Sequence, residues 1–266
     1  MRNSFNIALG FFTRLPVKKM EFTEEGYTKA LKFVPLTGLV IGAILVLFAL
    51  LFLALQLPAM IKGALLTGIY IFLTGGLHMD GLADSCDGLF SGKTREQALE
   101  IMKDSRIGVF GTIGIFMTGL FYFVFLSEIT FTAIFVFPVC GRFCCLVSAS
   151  LAQYAREDGL GKLTVTGAPK AVMPGIITLI CTALLTMPLN IFIFMLGINM
   201  KFYQMFIPPI LALSASGAAI LFTITLTGLI KKRLGGITGD TLGGVIEASS
   251  ILFLLIFITL FKVIPM

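Results

Sequence analysis

The chain has 266 residues, of which 57% are apolar and only 13% charged, with a mean hydropathy of +1.00 and a formal net charge of +6. A water-soluble domain carries about 25% charged residues, so that class is excluded, as are disordered tails, collagen-like chains and extracellular disulfide scaffolds. The composition is that of an all-α polytopic integral membrane protein, because about seven transmembrane helices of about 20 residues each use about 140 residues and leave the rest for loops.

Taken in chain order, the first expected element lies before any span. Residues Ser4–Val17 place Phe5, Leu9, Phe12 and also Ala8, Phe11, Leu15 at helical spacing. This pattern predicts a short amphipathic helix in the membrane interface, ended near Pro16. It serves as an anchor or, alternatively, as a lid over a cytoplasmic site. No cleavable signal is expected, since residues 1–32 hold six basic residues and only a short apolar run. Hydropathy then predicts seven spans: Val34–Gln56, Met60–Leu77, Ile107–Leu126, Phe131–Gln153, Val172–Ile198, Phe206–Ile230 and Val245–Val263. Pro174 and Pro188 predict a kink or a break in the fifth. With no fixed-period repeat, residues 1–266 read as one transmembrane domain.

Alternating sides sorts the basic residues. Arg2, Arg14, Lys18, Lys19, Lys29, Lys32, Lys93, Arg95, Lys103, Arg106, Arg156, Lys162, Lys170, Lys231, Lys232 and Arg233 share one side, while Lys62, Lys201 and Lys262 fall on the other and Arg142 inside a span. The positive-inside rule makes the first side cytoplasmic, with the N-terminus inside the cell membrane and the C-terminus outside. All six aspartates fall in the same cytoplasmic segments, so the chemistry is expected there. The net positive charge is what topology and anionic lipid require, and no nucleic-acid partner is expected. Of the five cysteines, Cys140 and Cys144 are four apart in one span and read as packing residues rather than zinc or redox groups.

The most informative stretch runs from Gly75 to Gly88. Asp80, Asp84 and Asp87 are spaced four and three apart and share one face of a helix. Three like charges on one face repel, and they become reasonable when a hard cation such as Mg²⁺ sits among them and is shared with substrate phosphate. His78, the single histidine, cannot build a zinc site alone but can hydrogen-bond a phosphate or a carboxylate. Lys103 and Arg106, three apart and on one face if helical, supply cations for phosphate oxygens, and Asp104 between them is a further ligand or a base. Gly108 and Gly111 let the following helix start lie close against a neighbour. Arg156 to Lys162 joins charge to glycine turns, and the segment from Gly235 to Gly244, with Gly236, Thr238 and Asp240, exposes backbone N–H groups that can cradle phosphate. Arg142 and Glu247 sit at membrane depth, where ionisable residues are costly and mark function or form an internal salt bridge.

Together these residues resemble the cobalamin-5′-phosphate synthase family, the adenosylcobinamide-GDP ribazoletransferases. The likeness runs from Phe12-Thr13-Arg14-Leu15-Pro16 through Gly75–Gly88, Lys103–Gly111, Arg142, Arg156 and Asp158-Gly159 to Gly235–Gly243 and Glu247. It implies an Mg²⁺-dependent transferase that joins adenosylcobinamide-GDP and α-ribazole, or its 5′-phosphate, with release of GMP. On this reading Asp84, Asp104 and Arg106 are catalytic, Asp80, Asp84, Asp87 and Asp240 hold the metal, and His78, Lys103, Arg142, Arg156, Lys162, Gly236 and Thr238 bind substrate. Membrane lipid is the other expected partner, and a homo-oligomer stays open. A second likeness, to CDP-alcohol phosphotransferases, lacks their arginine and signature spacing. A transporter is the rival of a different class, although transporters gather ionisable residues near the midplane and this chain gathers its acids at one face.

Overall fold

A computed structural model describes residues 2–18, 21, 23–128, 130–196 and 203–263. Its described secondary structure is helical: α1 (Arg2–Phe12), α2 (Glu24–Ala30), a single 3₁₀ turn (Leu31–Phe33) leading into α3 (Val34–Ala54), α4 (Ala59–Thr74), α5 (Leu77–Phe90), α6 (Arg95–Ile101), α7 (Val109–Ser127), α8 (Phe131–Leu151), α9 (Leu160–Met195), α10 (Tyr203–Leu234) and α11 (Gly239–Val263). Helices close their backbone hydrogen bonds internally, which is what a chain this apolar needs in lipid. Six segments among the described residues are long and apolar enough to cross a membrane, namely Glu24–Ala54 and α7 to α11. The bent pair α4 and α5 makes a seventh if it is counted as one span. Lys19, Lys201 and the Gly197-Ile198 end of the fifth expected span lie outside the described residues.

The expected second span, Met60–Leu77, ends early. Gly75 and Gly76 both adopt positive φ, 64° and 69°, and their N–H groups return to the carbonyls of Phe72 and Ile71. This left-handed cap stops α4 after 16 residues. The chain then turns by 89° into α5, which we read as lying across the end of the bundle rather than crossing it. The side chain of Arg14 lies against Gly75, and its N–H donates to the Leu73 carbonyl at 2.7 Å, so the segment after α1 braces this corner.

Two other expectations need correction. The fifth span is one unbroken helix of 36 residues with Pro169, Pro174 and Pro188 inside it, and it starts at Leu160 rather than Val172. Likewise α11 starts at Gly239 rather than Val245, so the expected loops 154–171 and 231–244 shrink to a few residues each. Those residues are bound to one another: Ala155 N–H donates to Ile237 O at 2.8 Å and Ile237 N–H to Gln153 O at 2.9 Å.

The central helix is α8, whose apolar window is 78% buried. It packs against α3, α9, α10 and α11. Gly38 and Gly42, one turn apart on α3, let the two backbones approach: a Cβ there would stand 2.4 Å from the Pro138 carbonyl and 2.3 Å from that of Phe135. This is the small-residue packing that associates helices in lipid. Cys140, Cys144 and Cys145 of α8 are buried free thiols. The amphipathic α1 forms as expected and docks on α2 and α3, with Ala8 and Phe12 buried.

Candidate active site

The aspartate helix α5 crosses the start of α11 on glycine. A Cβ on Gly81 would lie 2.8 Å from the Asp240 carbonyl oxygen, and one on Gly243 would lie 3.1 Å from that of His78. This close crossing brings Asp240 beside the face that carries Asp80 and Asp84. The effect is visible on Asp84, whose carboxyl is pushed up to about 6, first by burial and then by the negative charges of Asp240 and Asp80, with Arg156 opposing. One turn apart, Asp80 is exposed and Asp84 half-buried, and among the described residues no hydrogen bond engages either carboxylate.

Asp87 stands differently. Its Oδ2 accepts from Gly108 N–H at 2.7 Å and its Oδ1 from Gly111 N–H at 2.9 Å, so it caps the first turn of α7 from another helix. The glycines are needed there, because a Cβ at either would stand 2.4 Å from the Asp87 carboxylate. Asp240 also has a partner, accepting from Arg156 Nη2 at 2.8 Å, and Arg156 reaches the Met102 carbonyl at 3.4 Å. Thr238 caps α11 reciprocally with Thr241, at 3.1 and 2.8 Å. Among the described residues, no three acidic, imidazole or thiol groups stand close enough to hold one ion. Mg²⁺ is nonetheless commonly held by one or two carboxylates together with waters and substrate phosphate. The uncapped, mutually repelling oxygens of Asp80 and Asp84 fit that donor set.

The expected basic cluster is not on a helix. Lys103 to Gly108 form the turn between α6 and α7, because Asp104 closes on its own neighbour: its Oδ1 accepts from Arg106 N–H at 3.0 Å, and the guanidinium forks onto both carboxylate oxygens at 2.6–3.2 Å. Arg106 holds the Asp104 carboxyl down at about 2 by these hydrogen bonds. Lys103 is exposed beside them. Lys162 points elsewhere, donating to the Glu157 carbonyl at 2.7 Å and lining a separate cleft with Asp158 and Glu24. Gly236 is enclosed, since a Cβ would meet the Gln153 carbonyl at 2.4 Å.

Behind the aspartates lies a buried polar cluster. Tyr122 Oη donates to Glu247 Oε2 at 2.6 Å, His78 Nδ1 stands 3.8 Å from Glu247 Oε1, and the rings of Tyr70 and Tyr122 are 4.9 Å apart. Arg142 is fully buried and donates to its own helix, to the Pro138 carbonyl at 3.1 Å. The internal salt bridge between Arg142 and Glu247 is not formed among the described residues; the two act on each other through space. Sequence reasoning missed Tyr70 and Tyr122. The available signal was two of only five tyrosines in mid-span, where a hydroxyl needs a partner.

Beside this cluster and the aspartates opens a cavity of about 180 Å³. Phe11, Phe12, Tyr27, His78, Asp80 and Asp240 line it, with the Phe12 ring against that of His78. The amphipathic helix is thus more than an anchor, since its last residues line the cavity.

Comparison with known proteins bears on this geometry. A family profile described as Cobalamin-5-phosphate synthase matches residues 4–258. Curated relatives named adenosylcobinamide-GDP ribazoletransferase include those of Fusobacterium nucleatum, 36% identical over 98% of this chain and 97% of the relative, and Acetivibrio thermocellus, 38% identical over 94% and 95%. That of Clostridium acetobutylicum is 35% identical over 94% and 93%. No solved structure matches the chain.

Proposed function

The chain belongs to the cobalamin-5-phosphate synthase family, and from that membership we propose that it acts as an adenosylcobinamide-GDP ribazoletransferase at the cytoplasmic face of the cell membrane. A ribose hydroxyl of α-ribazole, or of its 5′-phosphate, forms a new O–P bond to the phosphate esterified to cobinamide. The P–O–P anhydride bond breaks, GMP departs with its electrons, and the hydroxyl proton passes to a base. Mg²⁺, held by Asp80 and Asp84, would neutralise phosphate oxygens. Asp240 shapes the field at Asp84 and keeps Arg156 beside the reacting phosphates. Arg106 and Lys103 stand at the same end of the bundle for the departing GMP, and Asp87 holds the α7 start under them.

The observation that carries this reading is Asp84, a half-buried carboxylate raised to about 6 by its neighbours and set on a glycine-lined helix crossing. Such a site gains most from a dication and a phosphate together. Purified protein given adenosylcobinamide-GDP, α-ribazole and Mg²⁺ should release GMP and form the cobalamin product, and chelation should stop it. No GMP release with both substrates and Mg²⁺ present overturns the proposal.

A further inference from the structure

The geometry points to the cavity beside Asp80 and Asp240 as the seat of the acceptor's aromatic base, with Phe12 and Tyr27 selecting for it. This rests on the transferase reading above and adds where the acceptor lies.

Three observations carry it. The lining is aromatic and fixed: Phe11 and Tyr27 meet edge to face at 5.3 Å, Phe12 lies 5.9 Å from the His78 ring, and the Tyr27 hydroxyl is hydrogen-bonded to Thr164, which also lines the cavity, at 3.0 Å. A flat heteroaromatic ring stacks well on such a surface. The charge is also selective. Among the described residues no lysine or arginine lines the cavity, and the carboxylates of Asp80 and Asp240 suit hydroxyl donors, Asp240 through the oxygen that Arg156 leaves free. A base seated on the aromatic wall therefore directs its ribose toward the aspartates, where the new bond must form. Finally, the cavity is small, about 180 Å³, and suits a flat bicyclic base better than a corrin macrocycle.

Gly239 supplies the test. It lines the cavity, and a Cβ added there meets no protein atom within 4 Å, so the side chain of Gly239→Val starts in open space. The chain has no tryptophan, so benzimidazole fluorescence of α-ribazole can be followed on the full-length protein in detergent. Its Kd should rise about tenfold in Gly239→Val and in Phe12→Leu, as loss of one stacking platform predicts. The KM for α-ribazole should rise in parallel, and that for adenosylcobinamide-GDP should stay within about twofold. Gly228→Ala, on α10 away from the cavity and equally free of neighbours, should bind like the parent. Unchanged α-ribazole Kd in both cavity variants overturns the assignment. So does displacement of α-ribazole by GMP, which would make the cavity a guanine site. Failure of the parent to release GMP would instead remove the transferase reading, and the binding measurements would still decide what the cavity holds.

Discussion

Replacing Asp87 by Asn keeps the side chain's shape and removes its charge, and the structure and the simplest sequence reading expect different consequences. In the structure the carboxylate receives two N–H bonds from the start of α7, at 2.7 and 2.9 Å. An Asn amide can accept through only one atom, and its NH₂ then faces the second N–H, donor against donor. A lost charge-assisted hydrogen bond costs about 1.5–3 kcal/mol, and loss of an anion at a helix start costs about 0.3–1 kcal/mol. One of the two bonds is solvent-exposed, which places the total near the low end, about 2 kcal/mol. For a chain of this size that corresponds to a fall in Tm of about 4–8 °C, measurable by thermal unfolding in detergent. Gly111→Ala should give a similar fall without touching an acid, because its Cβ would stand 2.4 Å from Asp87 Oδ2 and 3.0 Å from the Ala83 carbonyl. The Mg²⁺ concentration for half-maximal GMP release should stay within about twofold of the parent in both. An Asp87→Asn protein with parental Tm and a many-fold higher Mg²⁺ requirement refutes the clamp and makes Asp87 a metal ligand.

Asp84→Asn, in contrast, should abolish Mg²⁺-dependent GMP release while Tm is kept or raised, because it removes a charge that its neighbours repel; full activity would sink its assignment to the metal. Since the Asp84 carboxyl is raised to about 6, its metal-binding form is lost as pH falls through about 6. Half-saturating Mg²⁺ should climb there, and Asp240→Asn should move the inflection to lower pH, a flat profile counting against it. Arg106→Lys keeps the charge but loses the fork, so kcat/KM for the GDP-activated substrate should fall roughly tenfold to a hundredfold, whereas a purely topological role leaves turnover of the purified protein unchanged. A tag fused after the C-terminus should be labelled only from outside the cell; labelling from the cytoplasm alone would reverse the side on which the aspartates act.

The apolar spans and the aspartate face were legible because each is written in contiguous residues with a helical period. What stayed hidden depends on partners distant in the chain. Nothing near Asp87 announces that its oxygens belong to Gly108 and Gly111, which are more than 20 residues on. Residues 160–171 and 239–244 carry glycine and charge and so read as loops, yet they are helical. At Gly161 and Gly243 neighbouring backbones press close, so packing against those neighbours overrides weak local propensity. The turn at Lys103–Arg106 was left open by the sequence, and the structure decides it: Asp104 bonds to Arg106 locally, and a side chain that competes with the backbone breaks helical continuity. Phe11 and Phe12 were read correctly as an apolar face, but only the fold shows that part of that face walls a cavity instead of entering lipid.

The buried pair of Arg142 and Glu247 also imposes an order on the protein's birth. Arg142 lies in the middle of α8, where a guanidinium raises the cost of insertion by about 2.5–3.5 kcal/mol, and its acidic counterpart arrives on α11 about a hundred residues later. At about 5–20 residues per second of synthesis, α8 waits on the order of 5–20 s before that carboxylate exists. During this interval α8 must be sheltered by the glycine-faced α3 already in place, or lodge at the insertion machinery until α11 emerges. Glu247, the acid that acts on Arg142 through space, is thus carried on the last helix to be made.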